Sequence, residues 1–205
     1  KQVDLGLTQS WHAPTRTQNV GSADSVESQC VSVADPPTSR FLLWVDGVGG
    51  YLVCLGDSVV LGQATPTTKV EIPIQADLSR QHAKISRRGD GYVIEAYHTS
   101  RINGQPIRGK TLLSDGDNIE LGSTVRIQFR QPHALSASAR LDFTSRHRTQ
   151  PAGDSVVLMA ESCVLGPKWQ NHVVCSNWEG DVVFYRRDGE FFCRAMDSIE
   201  IDGQV

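Results

Sequence analysis

Ser79-Arg-Gln-His-Ala83 places a hydroxyl, a guanidinium and an imidazole on four consecutive positions. Ser79 and His82 lie too close on one short segment to form a nucleophile–base pair of known type. The same residues suit binding. Ser79 offers a short donor, and Arg80 offers a planar fork that matches phosphate oxygens. Gly62 permits a tight backbone at the base of such a loop. Downstream, Thr99 and Ser100 can supply a further hydroxyl, and Arg101 a further charge.

The elements that must hold these residues are short strands. Phe41-Leu-Leu-Trp-Val45, Tyr51 to Leu55, Ser58 to Leu61, Thr68 to Ile74, Ala83 to Arg87, Tyr92 to Ala96, Ile119 to Leu121 and Val125 to Phe129 are all β-rich. Turn signals separate them at Asp46-Gly-Val-Gly-Gly50, Gly56-Asp57, Gly89-Asp-Gly91, Asn103-Gly104 and Asp115-Gly-Asp117. Such punctuation is the mark of an antiparallel sandwich. Helical periodicity does not extend beyond about two turns.

Blocks of sequence recur. Ser58-Val-Val-Leu-Gly62 returns as Ser162-Cys-Val-Leu-Gly166, and Tyr51–Leu55 has its counterpart in Ser155–Met159, both at a spacing of 104. Arg87-Arg88 and Ile102-Asn-Gly-Gln105 return 99 residues on, as Arg186-Arg187 and Ile201-Asp-Gly-Gln204. Four blocks in one order predict an internal repeat. The expected architecture is all-β: two tandem antiparallel β-sandwiches. Residues 1–38, rich in Ser, Thr and Gln with Pro14, Pro36 and Pro37, form an arm or linker. Residues 39–132 form the first sandwich, 133–137 a linker, and 138–205 a second sandwich without its last strands. Either the chain continues beyond Val205 or something else covers the resulting edge. Val3-Asp-Leu-Gly6, which is similar to Ile119-Glu-Leu-Gly122, is a candidate to fill that gap. Lys1 is no initiator, so the sequence is expected to be a fragment.

The order Val60-Leu-Gly62, Asp77-Leu-Ser-Arg-Gln-His-Ala83, Asn103-Gly104 and Leu113-Ser-Asp-Gly-Asp-Asn-Ile-Glu-Leu-Gly122 resembles the forkhead-associated (FHA) family. The resemblance implies a β-sandwich of the FHA type that binds a phosphothreonine-bearing protein or peptide; the alternative is an FHA-like structural or assembly module that binds no phosphate. Such a ligand presents three strong acceptor oxygens and a charge of roughly −1.5 to −2. Carried over, the binding residues are Ser79 and Arg80, with Thr99, Ser100 and Arg101 as further candidates. Gly62, His82, Asn103 and Gly104 structure the loops. Two departures stand out. The family has an arginine after the glycine, where this chain has Gln63. The stretch Tyr97–Gly104 is also several residues short of the family's loop. In the second repeat Trp178, Glu179 and Asp181 stand opposite Ser79, Arg80 and His82, and acids there would repel phosphate. That repeat is expected to be structural, with a homo-oligomer through it as one outcome. Thr15 or Thr38 of the arm could serve as a kinase target.

Composition narrows the alternatives. The 205 residues carry a net charge of −3, which argues against a dedicated nucleic-acid binder. No stretch approaches the roughly 18 apolar residues of a membrane helix. The five cysteines lack C-x-x-C spacing, and the six histidines lack metal-ligand spacing. No metal, cofactor or catalytic residue is therefore expected. Cysteines in apolar runs point to the cytoplasm or another reducing compartment. Arg146-His-Arg148 is a small basic spot, either a solvated turn or a contact for an acidic or phosphorylated partner.

Overall fold

The computed structural model describes residues 2–6, 29–33, 39–67, 69–133, 136–188, 190–196 and 199–201. Thr15, Thr38 and the Asp202-Gly-Gln204 match to Asn103 lie outside these. In chain order the strands are β1 (Gln2–Gly6), β2 (Gln29–Val33), β3 (Arg40–Val45), β4 (Gly49–Cys54), β5 (Ser58–Gln63), β6 (Ile72–Ile74) and β7 (Ala83–Arg88). There follow β8 (Gly91–Ala96), β9 (Ser100–Ile102), β10 (Gln105–Pro106), β11 (Lys110–Leu113), β12 (Asn118–Leu121), β13 (Val125–Arg130) and β14 (Ala139–Phe143). The last are β15 (Ser155–Leu158), β16 (Ser162–Gly166), β17 (Val173–Val174), β18 (Val182–Arg187), β19 (Glu190–Ala195) and β20 (Glu200–Ile201). The fold is all-β, with no helix among the described residues.

Three sheets result. One has ten strands in the order β10-β9-β12-β13-β14-β15-β4-β3-β1-β20. Two have five, β11-β8-β7-β5-β6 and β17-β16-β18-β19-β2. The first five-stranded sheet packs on the ten-stranded one through a core that includes Leu61, Ile85, Ile94, Ile119, Ile127, Phe129, Leu141 and Val156. The second packs through Leu43, Val53, Val157, Leu165, Phe184 and Phe191. Fully burying such side chains stabilises by about 1.5–3 kcal/mol each before chain entropy opposes it.

Strands β4 and β15 join the two cores. Leu52 and Cys54 of β4 face the first core and Val53 the second. Val156 and Leu158 of β15 face the first and Val157 the second. Successive strand residues point to opposite faces. The two five-stranded sheets therefore cover opposite faces of the large sheet at these strands. The boundary expected at 133–137 does not separate the sheets: β14 and β15, from beyond it, pair onto β13 and complete the first sandwich. The hairpin β3–β4 instead lies on the far side of β15, in parallel register Ser155↔Tyr51 to Leu158↔Cys54. The repeat spacing of 104 is thus the pairing register itself. β1, which holds Val3–Gly6, pairs with β3 and with β20, between them in the sheet.

Polar ties cross the same seam. The buried Tyr92 hydroxyl donates to the carbonyls of Ala137 (2.7 Å) and Leu158 (3.3 Å). Arg186 donates to Leu55 C=O (3.0 Å), and Gly50 N–H to the Asp154 carboxylate (3.0 Å). Burial pushes the thiols of Cys54, Cys163 and Cys175 up to about 12, so they behave as small apolar groups.

Candidate functional site

Strand β5 ends at Gln63, and the chain then loops to β6, which runs parallel to it. Of the strand expected over Thr68–Ile74, β6 occupies Ile72–Ile74. A second loop, 75–82, leads into β7, and a third, 97–99, joins β8 to β9. These three loops enclose a cleft of about 690 Å³ lined by Thr67, Lys69, Ser79, Arg80, Gln81, Tyr97 and His98.

Main-chain contacts hold the cleft wall. Gln63 N–H donates to Ser79 C=O (3.0 Å) and His82 N–H to Leu61 C=O (2.8 Å). Gly62 is required for this approach, because a Cβ there would collide with the Arg80 carbonyl. The loop can therefore lie flat on the strand only over a glycine.

His82 is buried and braces two loops at once. Its Nδ1 accepts from Ser79 N–H (3.4 Å), so Nε2 carries the proton and donates to Thr99 C=O (3.1 Å). Burial lowers its pKa; the Thr99 carbonyl opposes that and nearby His98 adds to it. The bond accepted from Ser79 N–H needs an unprotonated Nδ1, and burial favours that neutral ring. The His82 carbonyl accepts from Tyr97 and His98 N–H, which fixes the third loop to the second.

The predicted residues divide. Ser79 and Arg80 line the cleft, Ser79 half-buried and Arg80 exposed. Thr99 contributes its carbonyl to His82 and to Gly122 N–H (3.0 Å). Ser100 is buried, and its hydroxyl donates to His98 C=O (2.9 Å). Arg101 lies on β9 opposite Glu120 and Pro106. Thr99, Ser100 and Arg101 are not among the cleft-lining residues. Asn103 and Gly104 form a tight turn at φ 50° and 78°, the left-handed pair an Asn-Gly hairpin turn needs. The Asn103 side chain donates to Asp117 (2.8 Å) and accepts from Asn118 N–H (3.0 Å), fastening this turn to the 114–118 loop.

Lys69 was missed. It is exposed in the cleft and forms no ion pair among the described residues, and neither does Arg80. It is the sole cation between Gln63 and Arg80, which was the signal available. Lys69 thus brings a cation to the cleft from the loop that follows Gln63.

Residues 59–122 match the FHA domain. The match runs from β5 to the residue after β12 and contains Gly62, Ser79, Arg80, His82, Asn103 and Gly104. Domains of this family are protein-interaction modules, generally of the phosphothreonine-binding kind. No curated protein matches the chain. The FHA match stops before β13, β14 and β15, which the first core nevertheless needs.

Proposed function

We propose that the FHA domain binds a phosphothreonine-bearing protein segment in the Lys69–Arg80 cleft, making the chain a phosphorylation-dependent interaction module. The observation that carries this reading is that Lys69, Arg80 and Ser79 line one cleft, with no ion pair to either cation among the described residues, and with Ser79 and Arg80 on a loop braced by His82. A dianionic phosphate needs cationic and hydroxyl donors together, held where they need not reorganise. Tyr97 and His98 offer flat walls beside them. The test is fluorescence polarisation with a degenerate phosphothreonine library and its dephosphorylated twin. Charge-assisted hydrogen bonds are worth about 1.5–3 kcal/mol, so Arg80→Ala should weaken phosphate-dependent binding by about tenfold or more. Lys69→Ala should weaken it less. Equal binding of the two libraries would sink the proposal.

A further inference from the structure

The basic turn Arg146-His-Arg148 lies in the connection between β14 and β15, outside the FHA match. It forms part of a polar depression of about 320 Å³ lined by Phe143, Ser145, Arg146, His147, Arg148 and Asp154. Its place in the fold ties it to the cleft. β14 runs towards the end of the sandwich from which the 97–99 and 122–124 loops emerge, because Phe143 pairs with Ile127 and Leu121 with Ser100 and Val125. The turn then docks on β6 and on the start of the 75–82 loop. Ile74 bridges Thr149, Gln75 N–H donates to Arg148 C=O (3.0 Å), and Gln150 N–H donates to Pro73 C=O (2.9 Å).

The charges are unevenly used. Asp154 pairs with Arg148 (3.2 Å) and accepts from Gly50 N–H. Arg146 is exposed and forms no ion pair among the described residues. His147 Nδ1 is held by the Ser145 hydroxyl (2.9 Å), which also accepts from Arg126 N–H (3.1 Å), so the ring is fixed. Gln75 is four positions before Ser79, so the two ends of the docked loop are at most about 14 Å apart. An extended peptide covers that in about four residues.

We propose that Arg146, with His147 and Arg148, forms a second anion subsite that reads a phosphorylated or acidic side chain about four residues from the phosphothreonine. This rests on the reading of the Lys69–Arg80 cleft given above. The ligand class is therefore a doubly anionic peptide, with phosphate preferred over carboxylate because it presents more charge and more acceptors.

The experiment compares three peptides built on a library-selected phosphothreonine binder: the parent, one with phosphoserine four residues away on either side, and one with Glu there. The second phosphate should tighten binding to the intact chain by about tenfold, and Glu by less. Arg146→Ala and the double variant Arg146→Ala/Arg148→Gln should lose this gain while keeping the parent affinity within about twofold. Arg146→Lys should restore part of it, and unchanged melting temperatures would show that the variants fold. The proposal is overturned if the parent binds but the second phosphate adds nothing, or if the gain survives in the double variant; the cleft reading then stands. If no phosphothreonine peptide binds, both fall together.

Discussion

The loops after β5 and those after β16 are built alike and furnished in opposite ways. In each, a strand ends in glycine or one residue past it, pairs in parallel with a short strand, and lies antiparallel to the next long one. Gly62 makes room for the Arg80 backbone, leaving that guanidinium exposed at the cleft. Gly166 makes room for a side-chain cluster instead: Asp181 accepts from Asn171 (2.9 Å) and from Lys168 (3.0 Å). Burial alone would raise the Asp181 carboxyl, but the Lys168 and Asn171 hydrogen bonds outweigh it and hold the pKa below the usual value. Trp178 packs against the second core and Glu179 is exposed. One set of loops leaves its cations exposed at a cleft; the other satisfies an acid internally. The two tips thus share a strand pattern and differ in chemistry.

The largest expected effect tests whether the two regions are separable. Residues 39–132 alone lack Ala139, Leu141, Val156 and Leu158, all buried in the first core. That fragment should fail to give a cooperative melt. In the whole chain, Leu158→Ala should cost about 2–5 kcal/mol, read by denaturant midpoint. A fragment as stable as the whole would show that the shared sheet is dispensable.

Next come the two glycines. Gly62→Ala meets a backbone carbonyl that cannot rotate away, so a loss of several kcal/mol and of peptide binding is expected. Gly166→Ala meets the tips of Asp181 and Asn171, which can shift, so about 1–2 kcal/mol is expected, with binding retained. Equal losses would erase the contrast between backbone and side-chain contact.

The most gradual effect is on pH. His172 is fully buried, its Nδ1 accepts from Val164 N–H (2.9 Å), and its ring stacks on His133. Burial first, then His133 and Arg140, lower its pKa from 6.5 to about 4. The native state resists a proton that the unfolded chain takes up readily. Stability is full above pH 6.5 and falls as pH drops towards 4, by at most about 1.4 kcal/mol per unit. His172→Gln should flatten that slope, as followed by thermal melts between pH 7 and 4.

Much of the cleft was legible because local chemistry dictates it. The Ser79–Ala83 run answers to neighbours close in sequence and the Asn103-Gly104 turn to a backbone angle, whereas Gly62, whose contact with Arg80 is distant in sequence, was legible through the family pattern. Lys69 was overlooked because the family pattern drew attention to Gln63 beside the strand. Arg101 is not among the cleft-lining residues, and strand parity leaves it exposed between buried Ser100 and Ile102. The seam was harder to read. Leu52-Val-Cys-Leu55 and Val156-Val-Leu-Met159 are continuous apolar runs, the signature of strands covered on both faces. That signature says a partner layer exists on each side without saying which segment provides it.

Because β4 and β15 answer to two cores, their odd and even positions are governed by different neighbours. A substitution at Val53 or Val157 can be compensated only from the second core, and one at Leu52 or Val156 only from the first. The two halves of the chain therefore cannot drift, recombine or be transplanted independently. For such a laminate the unit of inheritance is the pair, and a gene boundary cut between residues 54 and 155 would hand each descendant an unfinished surface.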